Sequence, residues 1–267
     1  MKKYFIILVF LARTISAQTN FSMFPQKNLV PQFTANATAH RMSFEKNIKI
    51  NNFFGSIGTI RPLVLAEFGS TKAEASIAGS MHTTLQKSPG HWQVIDVAFF
   101  VDVLFDVALT PTTQIRFGPG HTSHHLADDA FELLNYKKSI NYVRDYYQLF
   151  AIQHINFLNG FVYSGAFYNY IFRIDSVRVD TWIFQVGAEL FNTHISQNIF
   201  FYTGFDVKFH GELEYGTSQN YQIGIKYEQG DRRAIRFAYN YHTGLEERGQ
   251  FFRDRTSTNT LGFYVDF

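Results

Sequence analysis

The sequence predicts an all-β protein, an antiparallel transmembrane β-barrel of ten or twelve strands, and three observations predict it. Period-two alternation runs through segments of about ten residues, with one parity apolar and the other carrying Asp, Glu, Lys, Arg, Gln, Gly and Ala, as expected of strands with lipid on one side and a polar lumen on the other. Rings are abundant: 47 of the 267 residues are aromatic, and Phe outnumbers Leu 30 to 17, whereas a soluble core draws mainly on Leu, Val and Ala. After residue 13 there is no run of about 18 uncharged apolar residues, so helices are not the spanning element. A soluble β-sandwich is the competing architecture, since alternation by itself does not separate the two.

Taken in chain order, Lys2 and Lys3 precede the apolar run Tyr4 to Ala12, and Thr14-Ile15-Ser16-Ala17-Gln18 supplies small residues for cleavage after Ala17. Residues 1–17 therefore read as a secretory signal peptide, the apolar run being too short for a retained anchor. Cleavage removes Lys2, Lys3 and Arg13, leaving 21 bases against 22 acids and a net charge of −1. No cluster of Lys and Arg remains, so nucleic acid is not an expected partner. The absence of Cys excludes disulfides, thiolate metal sites and a lipoprotein anchor. Residues 18–60, rich in Asn, Gln and Thr and interrupted by Pro25 and Pro31, read as an irregular N-terminal arm. Residues 61–267 read as the barrel domain.

Within the barrel the first strands fall near 73–86 and 92–109, with room for a further pair before residue 73. The second is the clearest in the chain. Ile95, Val97, Phe99, Val101, Val103, Phe105 and Val107 share one parity, and Asp96, Asp102 and Asp106 share the other; a helix would scatter the three acids, a strand gathers them on one face. Those acids are expected to pair across the lumen with Arg116 and Arg144 and to set register. Further strands fall near 113–118, 138–153, 160–172, 178–191, 197–210, 219–228, 233–242 and 257–267. Representative outward sets are Trp182, Phe184 and Val186, then Tyr221, Ile223, Ile225 and Tyr227, then Ile235, Phe237 and Tyr239. Asn159-Gly160, Gly216-Thr217-Ser218 and Gln229-Gly230-Asp231 supply turns. Glu246, Glu247, Arg248, Arg253, Asp254 and Arg255 read as a solvated loop before the last strand. That strand alternates through Leu261, Phe263 and Val265 to a terminal Phe267, an ending that resembles the signature by which outer-membrane barrels are recognised by their assembly machinery. Export and this ending together predict the outer membrane of a Gram-negative bacterium, with membrane lipid as the surrounding partner; oligomeric state is left open. A barrel of this size fills its lumen with side chains and is not a wide porin.

One segment departs from alternation. Residues 116–136 place His121, Ser123, His124, His125, Asp128, Asp129, Glu132 and Asn135 after Gly118-Pro119-Gly120. Arg116 and the run from His121 to Asp129 resemble the H-x-S-S-H-L-G-D-E signature of a family of exported bacterial proteins, domain of unknown function 1207. His124 stands for the second Ser, Ala127 for Gly and Asp129 for Glu. Arg61 to Glu67 and Gly249 to Arg255 are similar to further segments of that family. The resemblance implies a location and a fold, and no reaction.

His121-Thr122-Ser123 also has the H-x-S order of outer-membrane phospholipase A and outer-membrane lipid A deacylase. Two residues along a strand span about 6.6 Å on one face, close enough for a rotamer change to bring an imidazole to a hydroxyl it could activate. The resemblance implies Ser123 as nucleophile, His121 as general base, and an orienting group about a dozen residues later. Asn135 and Glu132 are the candidates, with Asp128 and Asp129 as rivals. Backbone amides around Gly118 and Gly120 are the candidate oxyanion donors. The predicted activity is hydrolysis of a lipid ester. Two other readings use the same residues: His121, His124, His125, Asp128 and Asp129 hold a divalent metal, or the segment is a polar network inside a non-enzymatic structural, adhesion or small-solute passage barrel. No dinucleotide, phosphate-loop or haem motif implies any other cofactor.

Overall fold

The computed structural model describes residues 19–133, 139–174, 177–178, 181–229, 233–247 and 249–266. The stretch read as a signal peptide, residues 1–17, lies outside them, as do Asn135 and Phe267. Fourteen strands form one antiparallel sheet: β1 Thr19–Met23, β2 Met42–Asn47, β3 Asn52–Phe68, β4 Thr71–Ser88, β5 His91–Ala108, β6 Thr113–Leu126, β7 Tyr142–Ile155, β8 Gly160–Ile174, β9 Val177–Arg178, β10 Thr181–Ser196, β11 Ile199–His210, β12 Gly216–Gln229, β13 Arg233–Leu245 and β14 Arg255–Asp266. One short helix, α1 Asp128–Leu133, follows β6. β4 to β8 pair successively, β8 pairs with β10, β10 to β14 pair successively, and β14 pairs with β2, β2 with β3, and β3 with β4. The sheet thus closes into a barrel of twelve strands. The remaining two are extensions: β1 pairs with the far end of β3 from Val64 to Phe68, and β9 with the tip of β8.

Closure explains the alternation. Phe99, Val101, Val103 and Phe105 are exposed on the outer wall, while Phe100, Asp102, Leu104 and Asp106 are buried in the lumen. Trp182, Phe184 and Val186, and Ile223, Ile225 and Tyr227, take the outward positions expected of them. The ends differ in the length of their connections. Residues 69–70, 109–112, 156–159 and 197–198 make short connections at the end where β14 finishes; the other end has short connections too, at 48–51, 89–90 and 211–215, and it carries the two long ones, from β6 to β7 and from β13 to β14.

The expected boundary at residue 61 moves. β2 and the first half of β3 lie inside the stretch read as an irregular arm, because β2 is six residues long and too short to show a period. Residues 24–41 do lack strands, and they run through the lumen. Phe33 stacks on Tyr163 at 3.7 Å and tilts against Phe150, the Leu29 amide donates to Glu74, His40 Nε2 bonds Asp102 at 2.5 Å, and Lys208 Nζ donates to Asn36 and Thr38, each at 2.9 Å. Those partners come from β4 and β5, β7 and β8, and β11, three separate parts of the barrel wall that meet across the interior.

Of the expected lumenal charge pairs, Arg116 donates bidentately to Asp106 at 2.7 and 2.8 Å. Asp102 instead accepts from Tyr146 and Gln148 besides His40, the Asp96 carboxylate accepts from the Thr84 amide, and Arg144 lies 5.8 Å from the rings of both Tyr142 and Tyr146. The loop before β14 is solvated only in part. Arg253, Asp254 and Arg255 are exposed, but Glu247, Gln250 and Phe252 turn inward and close the lumen: Phe252 packs on Tyr142, and Glu247 binds Lys208 and Asn220.

Candidate functional site

β6 runs well past residue 118, where the period-two pattern was expected to stop, and the polar segment is its second half. Gly118 and Gly120 allow that continuation. A Cβ on Gly118 would lie 1.9 Å from the Val103 carbonyl oxygen, and one on Gly120 would lie 1.9 Å from Asp102 Oδ1 and 2.4 Å from the Tyr146 ring. The second vacancy is what lets Tyr146 reach across the inner face to Asp102 at 2.8 Å, so a strand that would clash with lumenal side chains instead seats them.

Alternation then sorts the candidates. Thr122 and His124 point inward and are buried, with Thr122 Oγ1 and His124 Nε2 3.0 Å apart and the His124 ring 4.5 Å from that of Tyr142. His121, Ser123 and His125 take the outward parity. On that face His121 Nδ1 and Asp145 Oδ1 of β7 are 2.5 Å apart, with side-chain exposures of 47% and 27%. An ionised carboxylate can only accept, so Nδ1 is the donor of the pair and Nε2 is the ring nitrogen left to act elsewhere. Neither Nε2 nor the Ser123 hydroxyl has a hydrogen-bond partner among the described residues. Ser123 stands opposite Phe99 on one side and Val143 on the other, and His121 opposite Val101, so the polar trio sits on an apolar wall. Just beyond Asp145 the β7–β8 register slips by one residue, leaving Tyr170 extra; such bulges redirect neighbouring side chains.

The other candidates lie elsewhere. Asp129 Oδ2 accepts the Val94 amide at 2.8 Å, and Asp128 and Glu132 are exposed on α1. The strand splits the five metal candidates between two faces and the helix, and no group of three or more His, Asp or Glu converges as a metal site among the described residues. Asp145 is the residue sequence reasoning missed. Its signal was present, since it shares parity with the exposed Tyr147 and Leu149, and an acid on a lipid-facing parity demands a partner.

A model of the family described as "Protein of unknown function (DUF1207)" matches residues 15–267. No curated protein matches the chain. Among solved structures, the outer membrane phospholipase A from Escherichia coli is similar at 10% identity over 96% of each chain, with a TM-score of 0.52. The Salmonella typhi outer membrane phospholipase dimer with bound calcium is similar at 12% identity, again over 96% of each chain, with a TM-score of 0.50. At such identities the likeness is one of fold, that of Gram-negative outer-membrane barrels.

Proposed function

The chain belongs to the family of unknown function DUF1207, and from that premise we propose that it is an outer-membrane acyl hydrolase acting on lipid esters from the outer wall of its barrel. The observation that carries the reading is the His121–Asp145 pair with Ser123 two residues along on the same outward face. Buried in a lumen, such a pair would be ordinary. On a wall of Phe and Val it has a cost that function explains.

Ser123 is the nucleophile, His121 the general base and Asp145 the orienting acid, in place of Asn135 or Glu132. His121 Nε2 takes the Ser123 proton as Oγ attacks an ester carbonyl, and the imidazolium returns that proton to the departing alcohol, leaving an acyl-Ser123. Water, deprotonated by the same nitrogen, then releases the fatty acid and restores the hydroxyl. Phe99, Val101 and Val143 offer the acyl chain an apolar bed. Short turns face the periplasm and long loops the exterior in barrels of this type, so Ser123, in the half of β6 nearest the long loops, faces the outer leaflet after export and signal cleavage.

Mass spectrometry of products from detergent-refolded protein incubated with phospholipid and with lipid A tests this. Fatty acid release by the wild type, lost in Ser123→Ala and His121→Ala, is expected; turnover lost on chelation would add a divalent cation to the site, and no turnover by folded protein overturns the proposal. A second reading has its own observation, the lumen filled by residues 24–41. It makes the chain a closed structural barrel in which Ser123 is dispensable.

A further inference from the structure

We infer that Arg173, together with His125, forms an anion subsite that receives the phosphate of the lipid whose ester Ser123 attacks. The inference rests on the hydrolase reading and deepens it by naming a substrate class.

The pairing of β5 to β9 sets Phe99, Ser123, Val143, Arg173 and Arg178 in one row across five strands. Phe172 is buried in the lumen, so Arg173 takes the outward parity of β8, where it is exposed and has no ion pair or hydrogen bond among the described residues. Asp145, the outward carboxylate of β7, is already engaged by His121. His125, exposed on the outward face with its ring 6.0 Å from that of Phe99, is the next outward residue beyond Ser123 toward the long loops.

The spacing suits one lipid. Ser123 and Arg173 are two strands apart, about 9.5 Å at the usual separation, with the uncharged Val143 between them. A glycerol-based lipid carries its phosphate and an ester on neighbouring carbons, and a phosphorylated glycolipid carries both on one sugar unit, so one molecule bridges the interval when the arginine reaches back over Val143. Guanidinium is the side chain best matched to phosphate, because its planar fork donates two parallel hydrogen bonds. His125 lies on the loop side of Ser123, the side on which headgroups stand in an outer leaflet.

The test measures acyl release by refolded wild type, Arg173→Gln and Arg173→Lys, with Ser123→Ala as the blank. Substrates are phosphatidylglycerol, diacylglycerol with the same chains, lipid A, and dephosphorylated lipid A. Arg173→Gln is expected to raise KM about tenfold for the phosphorylated lipids, the loss typical of one charge-assisted hydrogen bond, while leaving the phosphate-free lipids unchanged; Arg173→Lys should recover part. Dependence confined to phosphatidylglycerol or to lipid A identifies the source. Equal effects on phosphorylated and phosphate-free lipids, or none, overturn the subsite and leave the hydrolase standing. If the wild type turns over nothing, the hydrolase reading falls, and calorimetry with short-chain phosphatidylglycerol decides the subsite by itself: binding to Ser123→Ala that is lost when Arg173→Gln is added supports it, and equal binding overturns it.

Discussion

At the scale of single residues the outer wall is where chemistry and cost meet. Asp145 fixes which nitrogen of His121 carries the proton, so Asp145→Asn, which preserves shape and can present an N–H in place of an acceptor, is expected to lower kcat by two to four orders of magnitude while moving KM little. A purely structural Asp145 would instead show as lost stability with turnover retained. On the inner side of the same strand, Gly120 leaves room for Tyr146 and Asp102. Gly120→Ala is expected to cost about 1–3 kcal/mol, read as a lowered urea midpoint. The H-x-S spacing was legible in the sequence because a strand makes spacing into facing. Asp145 was not, because which residue of β7 meets His121 depends on a register set over twelve pairs from Thr113 to His124.

At the scale of elements, the arm and the loop before β14 meet on one lysine. Lys208 on β11 holds Asn36 and Thr38 of the arm and Glu247 of the loop. Burial alone would raise the Glu247 carboxyl, but the positive charges of Lys208, His210 and His242 outweigh it and hold the group down to about 2. A carboxyl lower in the folded than in the unfolded chain adds stability that is fully present above its ordinary value and is lost as pH falls through the folded value. The urea midpoint of the wild type should therefore decline between about pH 4.5 and pH 2, and Glu247→Gln should remove that part of the slope. Unchanged slopes would show that the latch contributes nothing. Gln250 adds a second latch, donating to the His124 carbonyl at 2.6 Å and so tying the loop to the strand that carries Ser123. The expectation of a solvated loop failed here because charge density marks exposure only on average, and Glu247 is neutralised by groups distant in sequence.

At the scale of the whole molecule, twelve strands whose two long connections, β6 to β7 and β13 to β14, both lie at one end define a sidedness. The chain has no Cys, so single substitutions report it cleanly. Glu132→Cys on α1 should react with a membrane-impermeant maleimide in intact cells, and Thr110→Cys in the turn between β5 and β6 only after the outer membrane is permeabilised. The reverse pattern would place Ser123 on the periplasmic side and remove the outer-leaflet substrate. Residues 24–41 run through the lumen and contact side chains of β4, β5, β7, β8 and β11.

The sequence by itself determined most of the strands, their two faces, the membrane-barrel class and the two-residue spacing of His121 and Ser123, because a period of two is a local property of each strand. Tertiary structure alone decided that the number of barrel strands is twelve, that the barrel begins at β2, that residues 24–41 run through the lumen, and that Asp145 and Arg173 share the outer wall with His121 and Ser123. Each of these depends on registers between strands and on contacts across the lumen, where partners as far apart as Asn36 and Lys208 meet, and no local pattern encodes which distant residues will share a row.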